Sequence, residues 1–302
     1  YEPPIEEEGA TAGQNTLKTG ENGIVKLRTS IFHELGDFNN YSAAKRVTLL
    51  RDLFTDLLQV ASSTGQKTKL AAASIKAGHF TDSIVPIYHN DGQLALDKDE
   101  HPRPGTTLEN MQGLNPSFEK MGTTLYDGHD RTFDQICKDV YPEIDGVTHV
   151  HHAGNSSGVV DGAGAILLSS PGYAKANGLK PRAKIVMTAT AGTEPVIMLT
   201  APGPAAEICL KKAGMTKDDI DLFEINEAFA AVVLKFQKDL GVEDDIINVA
   251  GGAIALGHPI GATGAMLIET VLGELERRDK STALIAMCTG GGMGTATIIE
   301  RI

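Results

Sequence analysis

The chain has 302 residues and a formal net charge of −12 at pH 7, and its hydrophobic fraction of 41% is typical of a soluble globular protein. The acidic balance excludes nucleic acid as a partner, because binding a phosphate backbone requires a basic surface. No apolar run approaches the roughly 18 residues of a membrane helix, so no membrane span is expected. Three scattered cysteines are too few for a disulfide framework. They favour a reducing compartment: the cytoplasm, or the mitochondrial or peroxisomal matrix of a eukaryote.

The N-terminal segment, residues 1–65, contains one recognisable element and is otherwise unassigned. Between residues 42 and 60, apolar side chains recur at spacings of three and four, which predicts one amphipathic helix. The Ser-Ser-Thr-Gly stretch at 62–65 is predicted to end it. The chain opens with Tyr1 rather than methionine, so we expect it to be processed or to belong to a longer reading frame.

The next segment, residues 66–170, changes from regular to irregular. A helix is predicted over 66–79, closed by Gly78, and a short strand over 83–87. Residues 88–146 are polar and lack a sustained period. Insertions of this length within an α/β chain often bind ligands.

From residue 171 onward, predicted strands and helices alternate, which indicates a layered α/β domain over 171–302. The predicted strands are 183–190, which is expected to be buried, 220–225, 246–249, 281–287 and 295–302. The predicted helices are 204–213, 226–240 and 262–278.

Three short motifs in the last quarter carry an amide, an imidazole and a thiol among small residues. They are Asn-Glu-Ala-Phe-Ala at 226–230, Gly-His-Pro-Ile-Gly-Ala-Thr-Gly at 257–264 and Cys-Thr-Gly-Gly-Gly-Met-Gly at 288–294. A core needs large apolar side chains rather than glycine runs, so the pattern indicates a site that a ligand approaches closely. Asn226, His258 and Cys288 can together remove a proton from a weak carbon acid and stabilise the enolate. The motifs therefore predict carbon–carbon chemistry on a thioester.

Each reactive side chain also has a structural alternative. Asn226 follows an apolar strand and is a suitable N-cap for the helix predicted over 226–240. His258 precedes a helix and has a purely structural alternative, and Cys288 has the alternative of a buried cysteine before a hairpin turn. Glu227 is predicted either to interact with the helix dipole or to organise the site.

The remaining histidine and cysteine clusters are predicted to be structural. His149, His151 and His152 raise the question of a metal site, but no carboxylate or cysteine lies at ligand spacing in the sequence, so none is expected. Cys137 and Cys209 fall in helical patterns and lack the small-residue setting that a nucleophile needs.

These motifs resemble those of the thiolase family (acetyl-CoA C-acyltransferases and 3-ketoacyl-CoA thiolases). The resemblance runs from about residue 66 to residue 302. Further matching motifs are Gly-His-Phe-Thr-Asp-Ser-Ile-Val-Pro-Ile at 78–87, Pro-Gly-Thr-Thr-Leu-Glu at 104–109, Asn-Pro-Ser-Phe at 115–118 and Gly-Asn-Ser-Ser-Gly at 154–158. The resemblance implies a layered αβαβα fold of two similar halves. Residues 66–170 would form the loop domain and the end of the first half, and residues 171–302 the complete second half.

The resemblance also implies an activity and residue roles. The activity would be acyl transfer between CoA and a 3-ketoacyl-CoA, or Claisen condensation of acyl-CoA. His258 and Cys288 would be catalytic, and Asn226 would hold a water that joins His258 in an oxyanion hole. Gly290 would lend its N–H to a second oxyanion hole. The residues implied to lie along the pantetheine channel of CoA are Ser157, Ala228 and Phe229.

The implied partners follow from the same resemblance. Acyl-CoA or CoA would be the substrate, with no separate cofactor and no metal. The implied assembly is a homodimer or homotetramer, with a β-oxidation complex as a further partner.

The chain departs from the family in its first half. Thiolases use a nucleophilic cysteine there, in a Cys-x-Ser-like motif, whereas residues 1–136 contain no cysteine. Two alternatives stay open: an enzyme whose nucleophile is supplied by upstream sequence, or a non-catalytic thiolase-like protein that binds acyl-CoA or supports a complex. A ketoacyl-synthase relative is disfavoured by the Cys-Thr-Gly-Gly-Gly turn at 288–292.

Overall fold

The structure, a computed structural model, describes residues 57–302, with side chains from residue 67 onward apart from those of residues 108 and 112. Most of the helix predicted over 42–60 lies outside the described residues. The helices are α1 (Leu57–Lys76), α2 (Leu108–Gln112), α3 (Glu119–Thr123), α4 (Phe133–Val140), α5 (Pro171–Ala176), α6 (Pro202–Ala213), α7 (Ala230–Leu240), α8 (Ala253–Leu256) and α9 (Thr263–Arg277). The strands are β1 (Ile87–Tyr88), β2 (Leu94–Leu96), β3 (Ala183–Gly192), β4 (Leu222–Ile225), β5 (Thr282–Thr289) and β6 (Met293–Arg301).

The main sheet of the described residues has four strands in the order β3-β6-β5-β4. β4 and β5 run parallel, and the other two pairs are antiparallel. In this register Ile225 lies opposite Ala286, and Cys288 lies opposite Gly294 across the β5–β6 hairpin. The carboxyl ends of β4 and β5 therefore meet at one edge of the sheet.

Helices cover both faces of this sheet, so the described second half has three layers. Alternate side chains of a strand point to opposite faces. On one face Phe223 and Leu284 pack against α6 and α7, and on the other Leu222 and Ile285 pack against α9. The described second half is thus a layered α/β domain, as the alternation of predicted strands and helices indicates.

The first described helix is longer than the sequence predicts. α1 continues through residues 62–65, so the predicted stop there is wrong. Its second half packs against α7 and α8, and the buried Lys67 ammonium donates to the carbonyl oxygens of Ile247 (2.5 Å) and Asp244 (3.1 Å). These tertiary contacts outweigh the weak local preference of serine, threonine and glycine for a helix end. The helix ends before Gly78, at a φ of 75°, as predicted.

Three strand predictions need correction. Of the strand predicted over 83–87, only Ile87 lies in a strand, the two-residue β1. The segment 246–249 makes two isolated parallel bridges, from Ile247 to Phe223 and from Val249 to Gly251, because Asn248, at a φ of 47°, interrupts the extended chain. β3 has the predicted position but is an edge strand, and its Ile185 is 49% exposed rather than buried.

Candidate active site

Asn226 occupies the carboxyl end of β4. Its backbone N–H donates to the carbonyl oxygen of Ala286 on β5 (2.9 Å), and its side chain is fully buried. Nδ2 of Asn226 lies 3.4 Å from Nε2 of His258, while its Oδ1 has no hydrogen-bond partner among the described residues. Asn226 is not the helix cap considered above, because α7 begins only at Ala230. The buried amide is thus directed at the imidazole.

His258 is held by its backbone N–H and by both of its ring nitrogens. Its backbone N–H donates to the carbonyl oxygen of Gly158 (2.8 Å), and its Nδ1 lies 2.6 Å from Oγ1 of Thr263. The Thr263 hydroxyl donates its own proton to the carbonyl oxygen of Pro259 (3.0 Å). It therefore acts as the acceptor for the proton of Nδ1. This assignment leaves Nε2 with a lone pair, facing the amide of Asn226. Burial lowers the pKa of His258, which favours the neutral form of the ring.

Cys288 is near the end of β5, at the same sheet edge as Asn226. It lies two positions after Ala286, the partner of the Asn226 N–H. Burial raises the pKa of the Cys288 thiol, so it carries its proton at neutral pH. The helix that follows the His258 loop approaches the same strand, since a Cβ at Gly264 of α9 would lie 3.7 Å from Sδ of Met287, the residue before Cys288.

The glycine turn after Cys288 has a conformation that requires glycine. Gly291 and Gly292 have φ values of 83° and 81°, which side chains disfavour. A Cβ at Gly290 would meet nothing within 4 Å, so the Cα of this residue borders open space.

The segment 155–158 brings the predicted binding residues to this edge. The N–H of Ser157 donates to the carbonyl oxygen of Ala228 (3.0 Å), and the N–H of Ala230 donates to that of Asn155 (2.9 Å). This pairing keeps residues 226–229 extended and delays the start of α7. Ala228 is thereby hydrogen-bonded to Ser157, the residue before Gly158, whose carbonyl oxygen holds His258.

Phe229 lies in a cluster of three rings. Its ring centroid is 5.8 Å from that of Phe118 and 4.5 Å from that of His151. Burial, with smaller effects of His152 and His149, lowers the pKa of His151, so its ring is neutral. The contact of Phe118 with Phe229 was not predicted from the sequence, although the Asn-Pro-Ser-Phe motif contains Phe118.

The other histidines do not form a metal site. His149 pairs with the Asp134 carboxylate at 3.1 Å, a partner far from ligand spacing in the sequence. Among residues 57–302 no group of three metal-ligating side chains comes together. Cys209 is fully buried in α6, and Cys137 lies on α4, as predicted.

Glu227 organises the loop around Asn226. Its buried carboxylate accepts from Nδ2 of Asn248 (2.9 Å) and from the N–H of Ile254 (3.1 Å), and Asn248 also accepts from the N–H of Ile225 (2.7 Å). Of the two roles predicted for Glu227, the contacts support the organiser. It precedes α7 by three residues, outside the first helical turn.

A cavity of about 220 Å³ adjoins the segment 155–158. Its wall includes Ala153 and Gly154, and Arg103 supplies a guanidinium at the lining. Polar groups lie beside apolar ones, which suits a ligand with a charged and an uncharged part. Further lining residues are Thr106, Asn110, Met111, Leu114 and Ile254.

Comparison with known families places both parts of the chain. Residues 179–301 match the family model "Thiolase, C-terminal domain", and residues 60–126 match "Thiolase, N-terminal domain". The chain belongs to the thiolase family.

Similar proteins bear two names within this family. An acetyl-CoA acetyltransferase of Paracoccus denitrificans is 43% identical over 233 residues, which are 76% of this chain and 53% of that protein. A 3-ketoacyl-CoA thiolase of Cronobacter sakazakii is 42% identical over 77% of this chain and 55% of its own length. The thiolase chain thus spans little more than half the length of these relatives.

Solved structures agree with the fold. The acetyl-CoA acetyltransferase of Bacillus anthracis matches with a TM-score of 0.67 and 37% identity, over 80% of this chain and 55% of that one. The human mitochondrial 3-ketoacyl-CoA thiolase in complex with CoA has the same TM-score and identity, over 80% and 54%. No helix in residues 57–302 of this thiolase combines the length and apolarity needed to cross a membrane.

Proposed function

We propose that this chain carries the enolate-forming part of a thiolase site, which transfers an acyl group between CoA and a 3-ketoacyl-CoA or condenses two acyl-CoA molecules. The observation that carries the proposal is the orientation of His258. Thr263 holds its Nδ1 proton, and its Nε2 faces the buried amide of Asn226 at 3.4 Å. An amide donor beside a basic nitrogen, at the sheet edge that bears a thiol, supports proton transfer at a carbon next to a thioester.

In the cleavage direction, a nucleophilic thiolate attacks the ketone carbon of the 3-ketoacyl-CoA and the carbon–carbon bond breaks. The acyl group stays on the nucleophile, and the bonding electrons leave as the enolate of acetyl-CoA. Cys288 gives its proton to the enolate carbon and becomes a thiolate. In condensation the same thiolate removes the α-proton. The raised pKa of Cys288 keeps the proton on the thiol, available for the enolate carbon in cleavage, and it makes the thiolate a strong base in condensation.

The developing negative charges need donors. We assign the enolate oxygen to Asn226, through a water, and to His258, which donates when protonated. The N–H of Gly290, a residue whose Cα borders open space, would hold the tetrahedral oxyanion. Loss of one such donor typically costs about 10²–10³ in rate.

CoA would bind along the 155–158 segment. Ser157, Ala228 and Phe229 line the proposed pantetheine channel, and the cavity beside Gly154 would take the nucleotide end, with Arg103 near its phosphates. We propose no further cofactor, since the thioester itself makes the α-proton acidic.

The acyl-carrying nucleophile is not assigned to this chain. Residues 1–136 have no cysteine, Cys209 is fully buried, and burial raises the pKa of the Cys137 thiol. The second candidate is a non-catalytic thiolase-like protein that binds acyl-CoA or supports a complex. It predicts that purified 1–302 protein binds CoA weakly and shows no thiolysis.

Assembly and location are also proposals. We propose a homodimer or homotetramer acting in fatty acid metabolism, in a β-oxidation complex, in the cytoplasm or an organelle matrix. Three apolar side chains in one segment support self-association: Val159, Leu167 and Leu168 are 68–85% exposed. Sedimentation equilibrium measures the assembly, and a monomer at all concentrations would contradict it.

Thiolysis of acetoacetyl-CoA tests the activity, followed by mass spectrometry of the quenched protein. A thiolase site predicts turnover that Cys288→Ser abolishes, with the acyl group on a residue other than Cys288. An acyl group on Cys288 itself overturns its assignment as the proton carrier. Saturable CoA binding without turnover in the 302-residue chain supports the second candidate.

A further inference from the structure

The carboxylate of Glu194, in the loop after β3, is bound on both oxygens. Oε1 accepts from the N–H of Val196 (3.1 Å). Oε2 accepts from the N–H of Ile197 (2.9 Å) and from the hydroxyl of Tyr141 (2.7 Å). Tyr141 directly follows α4 and is only 4% exposed. A helical element far away in sequence thus holds this loop by a charge-assisted hydrogen bond.

The same loop is hydrogen-bonded to the glycine turn and packs closely against it. Thr193 donates from its N–H (2.6 Å) and from its hydroxyl (3.0 Å) to the carbonyl oxygen of Gly292. A Cβ at Gly292 would lie 2.8 Å from the carbonyl oxygen of Thr193 and 2.9 Å from that of Glu194. Only glycine permits this approach, so the loop and the turn share one packed arrangement.

This glycine turn adjoins the two groups assigned to the proposed reaction, the N–H of Gly290 and the thiol of Cys288. Gly292 is the last residue of a three-residue turn. The turn begins at Gly290, two positions after Cys288. Gly294, opposite Cys288, packs against the backbone of Ala201 at the start of α6. The segment from 193 to 201 therefore supports both the turn and the strand beyond it.

We propose that Tyr141 is a positioning residue: through Glu194 and Thr193 it sets the glycine turn, and with it the Gly290 N–H and the Cys288 thiol. The inference rests on the proposed function only for the roles of Gly290 and Cys288. Removing the hydroxyl leaves Oε2 of Glu194 with one donor fewer and frees the loop to shift. Small displacements of an oxyanion donor lower the rate of chemistry without weakening binding of the distant parts of CoA.

The test compares Tyr141→Phe, which loses only the hydroxyl, with Tyr173→Phe, whose ring on α5 is 60% exposed. The full protein is alkylated with iodoacetamide across pH 7–10, and modification of Cys288 is followed by peptide mass spectrometry. Tyr141→Phe is expected to change the alkylation rate of Cys288 severalfold or to shift the pH dependence of that rate. Buried Cys209 reports unfolding and should stay unreactive in both variants. Tyr173→Phe should match wild type.

Turnover supplies a second readout. With acetoacetyl-CoA, Tyr141→Phe should lower kcat about tenfold while the KM for CoA stays within about twofold. Thr193→Val removes the hydroxyl of the next link and should act through the same route, so the double variant should lose less than the product of the single losses. If Tyr141→Phe exposes Cys209, Thr193→Val alone serves as the test variant.

The outcomes separate the two proposals. An unchanged Cys288 profile in Tyr141→Phe and in Thr193→Val overturns the positioning link, whatever the turnover. A changed profile supports it even where thiolysis is absent, because alkylation needs no acyl-enzyme. Absent thiolysis in wild-type protein, by contrast, bears on the proposed function alone.

Discussion

Thr263 Oγ1 lies 2.6 Å from Nδ1 of His258 and donates its own proton to the carbonyl oxygen of Pro259. This arrangement decides which imidazole nitrogen is basic. Because the hydroxyl has only one proton, Nδ1 must donate and Nε2 keeps its lone pair. The base of the site is thus set by the first residue of α9.

We expect Thr263→Val to lower kcat of thiolysis by about 10², because valine cannot accept the Nδ1 proton and the tautomer is no longer enforced. Thr263→Ser keeps the hydroxyl and should retain most of the activity. Steady-state kinetics with acetoacetyl-CoA measures both. Equal activities in the two variants would show that the hydroxyl does not set the tautomer.

The Cys288 thiol should titrate above the ordinary cysteine value of about 8.5, because burial disfavours its thiolate. Iodoacetamide alkylation of Cys288 should therefore rise with pH beyond the midpoint of N-acetylcysteine, used as the free-thiol control. A midpoint below that of the free thiol would mean that Cys288 is an activated nucleophile rather than a proton carrier.

Glu227→Ala should destabilise the protein by about 2–5 kcal/mol, because the amide of Asn248 and the N–H of Ile254 would lose their buried acceptor. Glu243→Ala, at an exposed position, is the matched control and should cost under about 0.5 kcal/mol. Urea unfolding measures both free energies. A cost for Glu227→Ala as small as that of the control would remove its role as organiser.

Glu224 predicts a pH dependence of stability. Its side chain is 1% exposed, and burial, followed by the neighbouring Glu227, raises its pKa well above the ordinary range. A raised folded pKa means that the stability contributed by protonated Glu224 is present at low pH and lost as pH rises through that pKa. The free energy of unfolding should therefore decline as the pH rises above the pKa of an ordinary carboxyl group.

Glu224→Gln keeps the shape without the charge, so it should flatten this decline and be more stable than wild type on its alkaline side. Urea unfolding at pH 5, 6.5 and 8 provides the comparison, with Glu243→Gln as control. Parallel curves for wild type and Glu224→Gln would be incompatible with a buried, proton-binding carboxyl.

The parts of the fold that sequence predicts well are those with local causes. α6 ends at Gly214, whose φ of 68° needs glycine, and the hairpin of β5 and β6 has its glycine turn where expected. The periodicity of α9 is equally local. His258 stands just before α9 and Cys288 near the end of β5, so the elements that carry these two residues are predicted from local patterns.

The misses have distant causes. The sequence pattern of residues 226–229 is helical, but pairing with the 155–158 segment holds them extended. No local sequence pattern predicts that contact. α1 passes through 62–65 because its second half packs on α7 and α8. Thr263 escaped notice as the partner of His258 because a threonine at a helix start has an ordinary capping explanation.

The central claim is that Asn226, His258 and Cys288 form one enolate-generating unit. Incubation with acetyl-CoA in D₂O tests it most directly, since exchange of the methyl protons requires enolate formation but no carbon–carbon bond making. The account predicts deuterium in the acetyl group, loss of exchange in Cys288→Ala, and unchanged exchange in the control Cys137→Ser. Exchange at the wild-type rate in Cys288→Ala, or bound acetyl-CoA that never exchanges in wild-type protein, would contradict it.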